Sequence, residues 1–539
     1  MARRSHARHV LEPPEFEDLR RLAGQPAPHP AQAGRRVMFV TFRGWSTHAV
    51  IETVLGHALR RRGWQPVYVT CGGRLPICDV MPVHAAPPMP CWSCAEYASS
   101  AIAAAGFDSV RLADTVDLRA AVAVARRKVA ELRSVGECEG FRSDGLPIGR
   151  LVRVSVMWFL SRGTLPDTPL VLDTYRRFLI SAQVVAEAFG HLLDQEHPQR
   201  LVLLNGRFFA EAVMIELAAR RGIGYSTYEK GMLPNTLIVS SEGSASDVTM
   251  PTRAAETALG RRLSAAQAAR LDRYLSERRQ GDRSLDRLWA APANGGAPLR
   301  QQLGLESERP IVAMFSNIAW DSAVAARDHC FRSLGDWLVA GIRWAERHPE
   351  VYLVVRLHPA EVRVTNHVSL ERMADRIAVA APRLPVNVRV IPAGSRVSSY
   401  QLMDEACVGL IYTSTVGLEM ALKGRPVVVA GLTHYRGRGF TLDPQTAEEY
   451  WEAVDRLISD PPSPVASDRT RDLARRYAYA FLFEFHRPLN AVQEVGHSRP
   501  RLNLPQGSLL DPGADANLDL IVADLLGTGG EMNPVQAAR

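Results

Sequence analysis

Short apolar runs of strand length, each followed by a polar loop and a helical pattern, occur in two separate series along this chain. No other feature constrains its fold as tightly. The first series opens at Arg36. RVMFVTF is one apolar run, and in the following GWSTHAVIETVLGHALRRRG the residues Val50, Ile51, Val54, Leu55, Ala58 and Leu59 fall at helical spacing. QPVYVT, RLVLLN (200–205) and GYSTYE continue the strands, with the helical RFFAEAVMIELAARRG between the last two. The second series opens at PIVAMFS (310–316) and runs through YLVVR, NVRVI, CVGLIY and PVVVA. Strands alternating with helices in this way build doubly wound parallel sheets. A length of 539 residues accommodates two of them, because single cores rarely grow beyond about 250–300 residues.

The expected layout has six parts. Residues 1–34 form a flexible N-terminal arm with one short helix at 14–23. Residues 35–240 form a first Rossmann-like domain, 241–308 a helical insertion or linker with ANGGAP (293–298) as its loop signal, and 309–465 a second Rossmann-like domain. A closing helix (466–495) and a poorly ordered tail (496–539) follow.

Composition narrows the function. The apolar share of 46% and charged share of 22% are those of an ordinary soluble protein. The net charge is +7, yet only Lys128, Lys230 and Lys423 are lysines, and the arginines are interleaved with acids, so no nucleic-acid partner is expected. No apolar run reaches 18 residues, and the basic N-terminus lacks an apolar segment. The expected location is the cytoplasm, with peripheral contact at the inner face of the membrane left open.

Ligands of open α/β sheets sit beyond the carboxyl ends of the strands, which ranks the candidates. In the second series Arg356 and His358 follow a strand, and Thr413, Ser414 and Thr415 lie between a strand and a helix, where hydroxyls and free N–H groups suit a phosphate. Glu419, one turn on, could reach a ribose hydroxyl. Asn317 and Asp321 follow the opening strand as donor or acceptor contacts, or as loop caps. In the first series Glu229 ends a strand and could act as general base or nucleophile; the alternative is a surface Glu paired with an Arg. Asn205 and Arg207 also follow a strand and could contact an anionic donor or the acceptor. His48 stands at the first strand–helix junction, with an ordinary pKa near 6.5 suited to proton removal. Cys71, Cys78, Cys91 and Cys94 are spaced C-x6-C-x12-C-x2-C, which allows one structural zinc, a redox pair or independent buried thiols. No metal or other cofactor is expected in catalysis.

Three segments together, RLHPAE, SSYQLMDEACVGLIYTSTVGLEMALKGRPVVVAG and HYRGRGFTLDP, resemble the bacterial capsule polysaccharide biosynthesis family, which includes transferases of the Kdo-transfer type. The resemblance covers about 310–445 well and the first series more loosely, through LLNGRFFAE and TYEKGMLPNT. HYRGRGFT departs from the run common in Kdo transferases. The resemblance implies an α/β, GT-B-like fold, with two Rossmann-like doubly wound domains facing an interdomain cleft. It implies a metal-independent glycosyltransferase with a nucleotide-sugar donor and a polysaccharide or lipid-linked acceptor. His358 and the hydroxyls at 413–415 would hold the donor phosphate, Glu419 its sugar, and Glu229 or His48 would serve as base. A CDP-alditol phosphotransferase, a sugar-nucleotide epimerase and a non-catalytic assembly scaffold are the rival readings.

Overall fold

The computed structural model describes residues 12–26, 34–80, 91–280, 297–306, 308–322, 324–363, 368–495, 499–504 and 509–529. Parts of the expected arm (1–11, 27–33), of the linker signal (293–296) and of the tail (496–498, 505–508, 530–539) lie outside them.

Fourteen strands are described: β1 (Arg36–Val40), β2 (Gln65–Thr70), β3 (Ser109–Arg111), β4 (Arg200–Leu204), β5 (Gly224–Lys230), β6 (Thr236–Ser240), β7 (Ile311–Phe315), β8 (Tyr352–Arg356), β9 (Val388–Ile391), β10 (Val408–Ile411), β11 (Val427–Val429), β12 (Arg487–Pro488), β13 (Val492–Glu494) and β14 (Pro500–Leu502). The first sheet runs β12-β6-β5-β4-β1-β2-β3, with β1 to β5 parallel and β6 and β12 antiparallel at one edge. The second runs β11-β10-β7-β8-β9 and is parallel throughout. Counted from its own first strand, each lobe has the order 3-2-1-4-5, the Rossmann order, whose topological switch point lies between strands 1 and 4. The expected pair of doubly wound domains is present. Their central strands are buried on both faces, as the near-continuous apolar runs require; every residue of β7 and β8 is buried.

Three expectations about the flanking segments need correction. The arm contains the helix Pro14–Ala23, but its Phe16, Leu19 and Leu22 are buried in the first lobe's core, so this part is anchored. The helices Thr252–Gly260 and Ala265–Gln280 are more than a linker. Ala254, Ala255, Ala258, Leu271 and Tyr274 share one core with the second sheet and with the helix Pro464–Ala480. The tail is likewise ordered in part: after Pro464–Ala480 the chain returns to the first lobe as β12, and the helix Ala516–Leu526 buries Leu518, Ile521, Val522 and Leu525 there. In each case a modest apolar face finds a partner distant in sequence.

The lobes also touch directly. Trp158 meets Trp320 edge to face at 5.3 Å, and Glu371 accepts from the Thr164 N–H at 2.7 Å. No described helix is long and apolar enough to cross a membrane.

Candidate active site

In the first lobe β1, β4 and β5 lie side by side, so the segments following them converge on one crest. After β1 the helix Ser46–Arg60 begins, with Thr47 and His48 in its first turn. The His48 ring lies 5.2 Å from Trp45 and 6.3 Å from Tyr228. Its Nδ1 and the Thr47 Oγ1 are buried without a hydrogen-bond partner among the described residues. Burial, helped by the charges of Lys230 and Arg43, lowers the His48 pKa to about 3, so the imidazole is neutral at physiological pH.

After β4, Asn205 Nδ2 donates to Glu229 Oε2 at 3.0 Å, and its Oδ1 accepts from the Arg207 N–H at 3.0 Å. Glu229 Oε1 accepts from the Lys230 N–H at 2.9 Å. Burial raises the Glu229 pKa against the opposing pull of those hydrogen bonds. Behind this layer Glu52 accepts from Tyr228 Oη at 2.7 Å and from Thr41 Oγ1 at 2.5 Å, and burial pushes its pKa to about 7. Glu52 is not among the residues singled out from the sequence.

The second crest has the same construction. Its β8, β7 and β10 are neighbours, and the residues after β7 join the other two. The His358 N–H donates to Ser316 Oγ at 2.9 Å, and the Thr413 N–H donates to Asn317 Oδ1 at 3.2 Å. With strands about 4.8 Å apart, His358 and the 413–415 turn flank β7 with roughly 10 Å between their backbones. Burial, and then Arg356, lowers the His358 pKa to about 3. Thr413 Oγ1 is buried and has no hydrogen-bond partner among the described residues. Ser414 Oγ accepts from the Val416 N–H at 3.2 Å, and Thr415 is the N-cap residue of the helix Val416–Ala421. Tyr435 Oη donates to the Ser414 carbonyl at 2.6 Å, which fixes the turn. This contact needs glycine at 417, because a Cβ there would overlap the Tyr435 hydroxyl.

The crests meet at one carboxylate. Asp247 pairs with Arg207 of the first lobe and, at 3.0 Å, with Arg327 of the second. Arg327 also donates to the Ser246 carbonyl at 2.9 Å, while Ser246 Oγ lies 3.5 Å from Glu229 Oε2. On the other side Gly431 packs so closely on Arg327 and Thr413 that a Cβ would come within 2.9 Å of each. A continuous set of contacts thus runs from Glu229 to Thr413. Two guanidiniums share this carboxylate, and guanidinium N–H groups at such a junction can turn towards an anionic ligand.

Several expected contacts are engaged elsewhere. Arg356 is buried beneath its crest, donating to the Pro392 carbonyl at 2.7 Å and to Ser399 Oγ at 3.2 Å. Glu419 is paired with Arg278 at 3.1 Å. Arg356 thus fastens the segment 392–399, and Glu419 ties the helix Val416–Ala421 to the helix Ala265–Gln280. Asn317 is used as a loop cap. The Asp321 N–H donates to the Ile318 carbonyl at 3.2 Å, and its charge acts on Arg327. Arg327, Ser246, Asp247 and Tyr435 escaped sequence reading. Arg327 and Asp247 are 80 residues apart, and no local pattern announces such a pair.

Two Rossmann-like lobes whose crests meet at a shared Arg–Asp–Arg link define a two-lobed, GT-B-like α/β protein. Residues 299–465 match the family described as "Capsule polysaccharide biosynthesis protein", the family its motifs resemble. No curated protein matches the chain. Among solved structures, the chain is similar to the beta Kdo 2,4 transferase of Thermosulfurimonas dismutans KpsC, at 18% identity over 62% of this chain and 88% of that one, with a TM-score of 0.37. It is also similar to a glycosyltransferase from Rickettsia africae, at 10% identity over 84% and 96%, TM-score 0.29. A third likeness is to the UDP-GlcNAc 2-epimerase of Neisseria meningitidis, at 11% identity over 82% and 95%, TM-score 0.26.

Proposed function

We propose that this chain is a glycosyltransferase of surface-polysaccharide synthesis. It moves a sugar from a nucleotide-sugar donor to a hydroxyl of a glycan or lipid-linked acceptor. The observation that carries the reading is the opposition of the two crests across the Arg207–Asp247–Arg327 link, with Glu229 on one side and the 413–415 turn on the other.

The second crest takes the donor. Its backbone N–H groups, the hydroxyls of Thr413, Ser414 and Thr415 and the neutral His358 offer hydrogen bonds to a phosphate, and the guanidiniums of Arg207 and Arg327 stabilise the departing nucleotide. The first crest takes the acceptor. Of its two candidate bases Glu229 is the stronger. An imidazole whose conjugate acid has a pKa near 3 is a weak proton acceptor, whereas burial moves the Glu229 carboxyl up toward the working pH. His48 then serves as a neutral hydrogen-bonding group for the acceptor or sugar. No protein group assigned here requires a metal.

Thermal-shift screening against CMP, CDP, UDP and GDP, followed by product analysis with the best sugar nucleotide, tests this. The expected result is stabilisation by one nucleotide and acceptor-dependent release of it. Transfer of a phosphoalditol, conversion of donor without acceptor, or no nucleotide response would each overturn the reading in favour of one rival.

A further inference from the structure

The four cysteines singled out from the sequence do not fit a zinc ion. Cys71, Cys78, Cys91 and Cys94 line one cavity, but the Arg43 guanidinium shares it and burial keeps the Cys71 and Cys94 thiols protonated. Among the described residues no three His, Cys, Asp or Glu side chains are placed to hold a metal ion. The distribution of charge reaches further.

Basic and acidic residues are interleaved along the chain, yet folding gathers the excess in one place. Residues 252–280 hold seven arginines and three carboxylates, and residues 464–480 hold four arginines and two carboxylates. These two segments therefore carry +6 of the net charge of +7, and the rest of the chain is nearly neutral. They are far apart in sequence and adjacent in space. The helices Ala265–Gln280 and Pro464–Ala480 share one core, and Arg475 pairs with Asp272 across them at 2.6 Å. Arg476 donates to the Leu259 carbonyl of the helix Thr252–Gly260 at 2.8 Å. The outer sides of the three helices form one surface.

On that surface Arg262, Arg273 and Arg469 are exposed and have no ion pair among the described residues. Neighbouring segments send Glu484, Glu419 and Asp404 to pair with Arg261, Arg278 and Arg279. Lys423 and Arg425 also stand beside Asp404, so the surface keeps its sign. Val465, Arg469 and Asp472 recur at helical spacing on the outer side of the helix Pro464–Ala480, where Val465 is 80% exposed. The aromatic residues of these helices, Tyr274, Tyr477 and Tyr479, are all buried, which leaves no ring to stack on a nucleic-acid base. Free guanidiniums beside an apolar side chain that stands into solvent suit the phosphates and the interface of a bilayer.

We propose that this three-helix face docks the protein on an anionic phospholipid surface. The exposed guanidiniums pair with lipid phosphates, and Val465 enters the interface. The proposal stands on the charge distribution and not on the transferase reading, so failure to bind vesicles and failure to bind nucleotide are separate results.

The test is sedimentation of the full chain with vesicles of equal parts phosphatidylglycerol and phosphatidylcholine, and with phosphatidylcholine alone. Binding is expected to the mixed vesicles only, and should weaken at least about tenfold as sodium chloride rises from about 0.1 M to about 0.5 M. The variant Arg262→Glu/Arg273→Glu/Arg469→Glu should bind about tenfold more weakly, with melting temperature and nucleotide response kept. Arg119→Glu/Arg126→Glu/Arg127→Glu makes the same change of charge on the helix Leu118–Val129 of the first lobe and should bind as the unmodified chain does. Should the first variant unfold, Arg262→Gln/Arg273→Gln/Arg469→Gln replaces it, with a smaller loss expected. No preference for the mixed vesicles, equal loss in the variants of the two lobes, or tighter binding to a short DNA or RNA duplex than to the mixed vesicles overturns the proposal.

Discussion

The two crests are built on the same strand order and differ in almost every side chain. In the first lobe the strands end in titratable groups withdrawn from water: Glu229 with its pKa raised, Glu52 behind it at about 7, and a neutral His48 whose Nδ1 has no partner among the described residues. In the second lobe the strand ends present hydroxyls, backbone N–H groups and a neutral His358, while the carboxylate Glu419 is neutralised by Arg278. A desolvated carboxylate suits proton transfer and would repel a diphosphate; hydroxyls and N–H groups suit a phosphate and move no proton. One topology thus provides two equivalent positions, and on the proposed function local chemistry divides the labour between them. This division is also why Arg327 and Asp247 matter: they join the two positions.

The division can be broken most sharply at Glu229. Glu229→Gln keeps the hydrogen bond from Asn205 and removes the proton acceptor. We expect turnover to fall by about 10²–10⁴-fold with donor affinity unchanged within about twofold. Rate measurement under saturating donor, with calorimetric titration of the nucleotide, checks both halves. The pH profile sharpens the test. A base acts only when ionised, so the rate of the unmodified enzyme should fall with decreasing pH through a pKa above the ordinary carboxylate range, in the direction burial imposes. The acid limb should vanish in the residual activity of Glu229→Gln. An unchanged rate would move the base away from this crest.

A smaller effect is expected at the second crest. Asn317→Ala removes the acceptor from the Thr413 N–H and loosens the turn to which the proposal gives the donor. Loss of one such bond costs about 1–2 kcal/mol, and donor binding should weaken about tenfold. The turnover at saturating donor should stay within about threefold, the reverse of the Glu229 pattern. If Asn317→Ala lowers turnover and spares binding, the assignment of tasks to lobes is wrong.

Much of this was legible in the sequence because parallel strands buried on both faces appear as nearly unbroken apolar runs, and strand ends are where ligands collect. RVMFV and IVAMF mark the first strand of each lobe, and Glu229, Asn205 and Thr413 all follow from that rule. Partners were not legible. Arg356 and Glu419 have the right residue type at the right element end, yet their charges are directed to Pro392 and Arg278, which local pattern cannot show. The anchored helix Ala516–Leu526 was missed for a related reason. Eleven residues with a modest apolar face look unstable until the return of β12 places them against the first lobe's core.

The mildest test concerns the clamp on the 413–415 turn. Tyr435 is fully buried, its hydroxyl holds the Ser414 carbonyl at 2.6 Å, and its ring stacks with Phe440 at 6.1 Å. Tyr435→Phe preserves the ring and deletes one buried hydrogen bond, so the chain should lose about 1 kcal/mol of stability. Because the lost bond fixes Ser414, donor affinity should drop about two- to fivefold, less than for Asn317→Ala, while the first crest is untouched and the pH profile keeps its acid limb. Differential scanning fluorimetry and nucleotide titration measure the two effects. A loss of stability with no change in affinity would show that the turn does not hold the donor through Ser414, and the phosphate would then have to be sought nearer His358.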